Sequence, residues 1–526
     1  MLQGFGECAG ARACRKRSVP PQSLMFERRL FSCRSIPVAL FLCLLSACIT
    51  KPEQAPTPNV VFILTDDQRA DAVGYHPDSL LGIKTPHIDR LAAEGVRFDN
   101  MFVTTSLCSP SRASYLSGTY AHTHGVANNF TDYPVALQSF PRNLQQSGFE
   151  TAYIGKWHMG EQDDSRRPGF DYWITHKGQG KYYDTEFNVN GERRQIDGYY
   201  TETVTDMALD WLHNKRTPGK PFALLLGHKA PHGPFVPEQK YQHTYDDVPV
   251  PYPDSRNQLA NKPRWMSERL DTWHGIYGPL YGFREQYPDS SAVAVSDFER
   301  FVRSYTATVN SVDDSVGRVY GALQELGILD NTIFVFASDN GFLLGEHGMI
   351  DKRTAHEDST RVPLVVRYPA RFAAGTIVKQ QVLNIDLAPS LVEMAGAGEL
   401  PDAQGLSWVA LAEGRSSDWR EYWLYEYDYE QQFPYTPNVR SVRTDEWKYI
   451  RHPHGDGGPL RHLEQLYNLR DDPMELSNLA QQRSYQPKLV EMRDLLLKAL
   501  KQSGIDNDRM PIDQGIKTAL PEESIR

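Results

Sequence analysis

Four apolar runs constrain what this chain can fold into: residues 59–64 (Asn-Val-Val-Phe-Ile-Leu), 150–154, 222–226 and 332–336. None shows the polar alternation of a half-solvated strand, so each must be covered on both faces, as strands inside a parallel sheet are. Between them lie helical signals. Residues 85–95 open on Thr85-Pro86 and close at Gly95, 140–147 stop at Gly148, and 203–213 follow. In 298–326, Phe301, Tyr305, Val309, Val312, Val316, Val319 and Leu323 recur at three- and four-residue steps. Alternating strands and helices predict an α/β fold with a mostly parallel central sheet sandwiched by helices. Residues 96–102 and 364–368 read as further strands. Residues 233–290, rich in Pro, Tyr and Trp without periodicity, predict a long insertion over one face.

The texture changes near residue 400. Aromatics cluster from Tyr422 to Tyr435, 439–450 and 466–469 read as antiparallel strands, and 486–502 as an amphipathic helix. The expected organisation is a main α/β domain at 59–400 and a smaller α+β subdomain with an antiparallel sheet at 401–526.

Polar residues fall where they can do chemistry. The four apolar strands end, on the C-terminal side, in Asp66-Asp67, Lys156 with His158, His228 with Lys229 and His232, and Asp339-Asn340. Open α/β sheets bind ligands at that edge. Asp66, Asp67, Asp339 and Asn340 offer only hard oxygen donors, which suit Ca²⁺, and less well Mg²⁺, rather than zinc. Arg112, Lys156, His158, His228, Lys229, His232 and Lys352 add the positive charge that a tetrahedral oxyanion needs. His228 reads equally as a packed strand-end histidine. Net charge is -10, so a nucleic-acid partner is not expected.

The amino terminus reads as a processing segment. Arg28, Arg29 and Arg34 precede an apolar stretch at 36–45, followed by Leu45-Ser-Ala-Cys48. This resembles a bacterial lipoprotein signal at 1–47, with Cys48 lipidated and 48–58 as a tether; an ordinary cleaved secretory signal is the alternative, and translation starts at Met1 or Met25. Either way the expected location is outside the cytoplasm, membrane-anchored in the lipoprotein case, on the periplasmic face or the outer-membrane surface. Of six cysteines, at 8, 14, 33, 43, 48 and 108, Cys108 alone remains in the folded body. A lone thiol in an exported protein asks for a chemical explanation.

Cys108-Ser-Pro-Ser-Arg112, running on to Leu116-Ser-Gly118, resembles the signature of the type I sulfatases of the alkaline phosphatase superfamily. The resemblance extends through Asp66-Asp67, Gly155-Lys-Trp-His158, Ala230-Pro-His232, Ser338-Asp-Asn-Gly341, Gly345-Glu-His347-Gly348, Lys352 and Leu466 to Glu475, spanning roughly 59–480. His356-Glu357 departs from the Tyr-Glu of many relatives, at a position that bears on the substrate subsite.

The resemblance implies that a maturation enzyme oxidises Cys108 to Cα-formylglycine (3-oxoalanine). It also implies one divalent metal held by Asp66, Asp67, Asp339, Asn340 and the converted residue 108. The hydrated aldehyde is the implied nucleophile on sulfur. Arg112, Lys156 and Lys352 offset charge on the sulfate, His232 protonates the leaving oxygen, and His158 takes the second hydroxyl's proton. His228, Lys229 and His347 are expected substrate contacts. The expected activity is hydrolysis of sulfate esters on a polysaccharide or oligosaccharide, ulvan-like, glycosaminoglycan-like or mucin-type, by exo or endo action. Tyr172, Trp173, Tyr182, Tyr183 and the 422–435 aromatics are candidates for stacking on sugar rings. His176, Lys177 and Lys181 are candidates for reading further anionic groups. A phosphodiester or phosphonate hydrolase on the same fold is the alternative, and a glycan-binding lipoprotein with unconverted Cys108 the alternative of another class.

Overall fold

The computed structural model describes residues 56–268, 281–284, 291–456 and 462–515. The expected signal and Cys48 lie outside them. A ten-stranded mixed sheet forms the centre, in the order Thr376–Val378, Val96–Phe98, Leu364–Arg367, Thr332–Ser338, Asn59–Thr65, Phe222–Gly227, Glu150–Gly155, Tyr172–Thr175, Tyr183–Val189, Glu192–Tyr199. The five strands from Thr332–Ser338 to Tyr172–Thr175 run parallel. Leu364–Arg367 runs antiparallel to both its neighbours, and Tyr183–Tyr199 adds an antiparallel hairpin at the far edge.

The strand Asn59–Thr65 shows why the apolar runs are continuous. Val60, Phe62 and Leu64 face a core shared with the helices Cys108–Ser117, Phe140–Gln146 and Leu387–Ala395. Val61 and Ile63 face the opposite core, with Pro86–Glu94, Tyr200–Asp210 and Ala292–Glu325. Each such side chain contributes about 1.5–3 kcal/mol when fully buried, so a polar substitution on either face is costly.

Some local expectations are corrected. Residues 96–102 form two short strands in different sheets rather than one. Thr85, which the sequence offers as the cap of the following helix, stands at the N-cap position but makes no side-chain bond to the helix backbone. Its hydroxyl donates to Asp89 (2.8 Å), while Asp313, from the long helix, accepts from the backbone N–H groups of His87 (3.1 Å) and Ile88 (2.8 Å). The long helix begins six residues earlier than the periodicity showed, at Ala292, with the Ser291 hydroxyl accepting from Ala294 N–H at 3.1 Å.

The second sheet is antiparallel and four-stranded, Tyr422–Tyr427, Val439–Thr444, Trp447–Arg451 and Gln465–Asn468. The antiparallel region expected at 439–450 is a hairpin of two of these strands. The helix Gln486–Gln502 covers it through Leu489, Met492, Leu496 and Leu500, in a cluster that also holds Phe102, Leu107 and Tyr120. Glu426 N–H donates to the Thr104 carbonyl (2.9 Å) and Tyr425 bonds Ser106 (2.7 Å). The smaller sheet therefore braces the loop that delivers Cys108. Among the described residues no helix is long and apolar enough to cross a membrane.

Candidate active site

Cys108 is the first residue of the helix Cys108–Ser117, which ends on Gly118 in the left-handed region. Its side chain is fully buried. The thiol donates to Asp66 Oδ1 at 3.3 Å, and Lys352 Nζ donates to Sγ at 3.0 Å. Arg112, one turn on, donates from Nε to Asp339 Oδ2 (2.8 Å) and from Nη1 to the Lys156 carbonyl (2.8 Å). Lys156 pairs with Asp66 and also donates to Gln179 Oε1. Lys352 also pairs with Asp67. The strand ends anticipated from sequence thus converge on one point. Asp67 and His158 are held there at φ 66° and 47°, the left-handed region that non-glycine residues avoid, and such strain concentrates at functional sites.

Oxygens of Asp66, Asp67 and Asp339 lie within 4.8 Å of one another, all buried. Burial raises each carboxyl. At Asp66 that rise is outweighed by Lys156, His232, Arg112 and Lys352, which hold it well below the usual carboxylate range. Asp67 stays raised by burial despite Lys352, and Asp339 is pushed up to about 7 by burial and by Asp66. Asn340 donates to Asp67 Oδ1 at 2.6 Å, while its own Oδ1 is buried without a hydrogen-bond partner. Three crowded carboxylates and an orphaned amide oxygen fit a hard divalent cation.

The centre opens into a cleft of about 580 Å³, lined among others by Asp67, Glu161, Gln179, Lys229, His232 and Lys352. His232 Nδ1 lies 2.7 Å from the Gly233 carbonyl, so that nitrogen carries the proton and Nε2, 3.8 Å from Asp67, is left for the substrate side. Burial and Lys156 lower its pKa well below the ordinary value. His158 Nε2 bonds Glu161 Oε1 at 3.0 Å, which fixes the proton there and leaves Nδ1 buried and unpartnered. Burial and Lys156 lower His158 to about 4. Lys229 is buried at the cleft wall, its amine 3.4 Å from the Gln179 carbonyl, and burial with Lys156 lowers it to about 7.

Several expected contacts fall elsewhere. His228 lies behind the site: its N–H continues the ladder to the Leu64 carbonyl, and its ring faces Ser315 at 3.1 Å. It is the packed strand-end histidine, not a substrate contact. His347 turns away because Leu343–Leu344 and Ile350–Asp351 pair as a hairpin around it. Its ring bonds Lys262 (2.6 Å) and lies 4.1 Å from the ring of His356, and neither histidine lines the cleft. His176 is buried against the Tyr200 hydroxyl (2.8 Å). Trp173, Tyr182, Trp423, Tyr425, Tyr427, Tyr429 and Tyr435 are buried as packing, and of the expected stacking aromatics only Phe433 lines the cleft.

Glu161 and Gln179 were missed. Glu161 had a faint signal, a carboxylate three residues after His158, while Gln179 had none, because only the folded loop brings it to Lys156.

Fold and cleft together define an α/β centre in which buried cationic side chains surround a carboxylate cluster that fits a divalent cation. The sulfatase family model matches residues 58–397, and a model described as "N-sulphoglucosamine sulphohydrolase, C-terminal" matches 345–502. The chain is 32% identical to an N-acetylglucosamine-6-O-sulfatase of Bacteroides thetaiotaomicron, covering 94% of this chain and 96% of the relative. It is 29% identical to the human N-acetylglucosamine-6-sulfatase, covering 92% of each. A solved structure of a protein in complex with its substrate D-glucosamine-2-N,6-O-disulfate superposes with a TM-score of 0.75 at 32% identity, covering 86% of this chain and 99% of that one. The chain belongs to the sulfatase family, and it is an enzyme.

Proposed function

We propose that this sulfatase removes the 6-O-sulfate of a glucosamine-type sugar in a sulfated glycan, with Cys108 converted to formylglycine and one Ca²⁺ in the carboxylate cluster. The observation that carries the chemistry is the seat of Cys108: a helix start, buried between the Asp66 carboxylate and the Lys352 ammonium, with Arg112 and Lys156 beside it. The names of the relatives support the sugar.

The residues that would hold the ion are Asp66, Asp67, Asp339 and Asn340, with the converted residue 108. When bound, the cation supplies Lewis acidity to the nucleophile and the sulfate oxygens. The hydrated aldehyde supplies a hydroxyl nucleophile with a second hydroxyl, the feature that a thiol lacks. Arg112, Lys156 and Lys352 place three fixed positive charges around the sulfate, where they oppose charge developing on its oxygens in a site shielded from water. His232, with Nδ1 tied to Gly233, presents an unprotonated Nε2, which takes the proton that the attacking hydroxyl loses and passes it to the departing sugar oxygen. His158, its Nε2 proton fixed by Glu161, offers the Nδ1 lone pair as the base that releases sulfate.

The test is sulfate release from N-acetylglucosamine-6-O-sulfate by the exported enzyme, paired with the mass of the peptide containing residue 108. Release that tracks the aldehyde-bearing fraction supports the proposal. Turnover by enzyme carrying only cysteine, or a stronger preference for an aryl phosphodiester, refutes it. We propose further that a maturation enzyme performs this conversion and that Cys48 anchors the exported protein to a membrane. Palmitate labelling abolished by Cys48→Ala is the expected result, and labelling that survives the change contradicts the anchor.

A further inference from the structure

The chain is acidic overall, yet its cleft is lined by five cationic side chains, Lys177, Lys181, Lys229, Lys352 and Arg353, against three carboxylates, Asp67, Glu161 and Asp351. Each carboxylate has its own partner: Asp67 has Lys352, Glu161 has His158 at 3.0 Å, and Asp351 has Arg353 at 3.0 Å. Lys229 is buried and spoken for, donating to the Gln179 carbonyl and lying 5.2 Å from the centre of the Tyr182 ring. Lys177 and Lys181 remain, exposed at the cleft wall and with no carboxylate oxygen within 4.0 Å among the described residues.

Their position is fixed. They flank Gly178-Gln179-Gly180, in the connection between the strands Tyr172–Thr175 and Tyr183–Val189. Gln179 accepts from Lys156 through its side chain and from Lys229 through its carbonyl, which ties the loop to the amine expected on the sulfate. Gly178 and Gly180, at φ 54° and 67°, sit so close to their neighbours that a Cβ on either would come within 2.6 Å of the Glu161 carboxylate or the His176 ring. Each lysine is two residues from Gln179, a backbone reach of at most about 7 Å. One sulfate already has Lys156, Arg112 and Lys352, so two further free cations at that range have no task on a sugar with a single charge.

We propose that Lys177 and Lys181 form a wall that recognises a second anionic group on the substrate, a sulfamate on the same sugar or a carboxylate on an adjoining uronate, so that a doubly charged glycan is preferred. This rests on the sulfated-sugar proposal above and narrows its substrate class. The test measures kcat and KM on N-acetylglucosamine-6-O-sulfate, on glucosamine-2-N,6-O-disulfate, and on a 6-O-sulfated N-acetylglucosamine linked to a uronic acid. Enzymes compared are the native one, Lys177→Gln/Lys181→Gln, and Lys177→Arg/Lys181→Arg.

The expected native preference in kcat/KM for a doubly charged substrate is roughly fivefold to tenfold, the scale of two partly exposed ion pairs. It should reside in KM, shrink as salt rises, vanish in the Gln variant and persist in the Arg variant. The disulfate arm and the uronate arm show which anion is recognised. Equal KM for singly and doubly charged substrates in the native enzyme overturns the proposal, as does a Gln variant that loses equally on all three. If native enzyme cleaves an aryl sulfate but none of the three sugars, the sugar proposal fails and this one falls with it. Cleavage of the monosulfate without discrimination sinks the wall alone.

Discussion

Replacing Glu161 by glutamine isolates one charge while keeping its shape. Glu161 Oε1 lies 3.0 Å from His158 Nε2, and the carboxylate side chain is 23% exposed. At an effective dielectric near 20, a unit charge about 4 Å from the ring is worth about 4 kcal/mol, and partial exposure reduces this to about 1–2 kcal/mol. Glu161 opposes the burial that depresses His158, so its loss lowers the His158 pKa further, by about one unit, since a unit is 1.36 kcal/mol. A base must be neutral. In the native enzyme kcat therefore rises as pH climbs through about 4, where His158 loses its proton. In Glu161→Gln that limb moves to lower pH, while the plateau falls about tenfold, because a weaker base accepts the proton less readily and the amide no longer fixes the tautomer. Steady-state kcat between pH 3.5 and 8 checks both effects, with the melting temperature as a control that the fold survives. A plateau within twofold of native together with an unmoved acid limb would falsify the role given to this pair.

Chelation should lower both activity and melting temperature, with Ca²⁺ restoring them; at one hundred times its Kd the ion stabilises by about 2.7 kcal/mol, and identical melting curves with and without chelator contradict a cation in the carboxylate cluster. Cys108→Ala should abolish turnover while leaving the melting temperature within a few degrees, and residual activity above about a thousandth of native excludes this residue as the nucleophile's source. His228→Gln should disturb stability through Ser315 but leave KM within about twofold, whereas a large rise in KM would return that ring to the substrate. Asp313→Ala should cost about 1–2 kcal/mol by uncapping Pro86–Glu94, read by denaturant melts with kcat unchanged.

The central strands and the polar residues at their ends were legible because burial on both faces writes an unbroken apolar run, and the catalytic edge follows from strand direction. The hairpin Tyr183–Tyr199 was not: its strands carry Glu186, Glu192, Arg193 and Arg194 at solvent, and cross-strand pairing, not composition, holds them. Nor could sequence show that Leu364–Arg367 reverses direction, since its four buried residues look like those of the parallel strands in the same sheet. His347 was misplaced for a related reason. Only five residues separate it from Lys352, yet an intervening two-stranded turn points the two apart. Glu161 and Gln179 needed the folded loops, because their bonds to His158 and Lys156 exist only once those loops close over the site.

The partners around Cys108 come from far along the chain: Asp66 is 42 residues away, Arg112 and Asp339 are 227 apart, and Asp67 and Lys352 are 285 apart. The site residues run from Asp66 to Lys352, so a fragment that stops short of Lys352 lacks part of the centre. Contacts of such sequence separation close only after the intervening loops are ordered, which makes assembly slow and late. Turnover is thus a reporter of complete folding for this enzyme, because strands from Asn59–Thr65 to Thr332–Ser338 must all be in place before their ends meet.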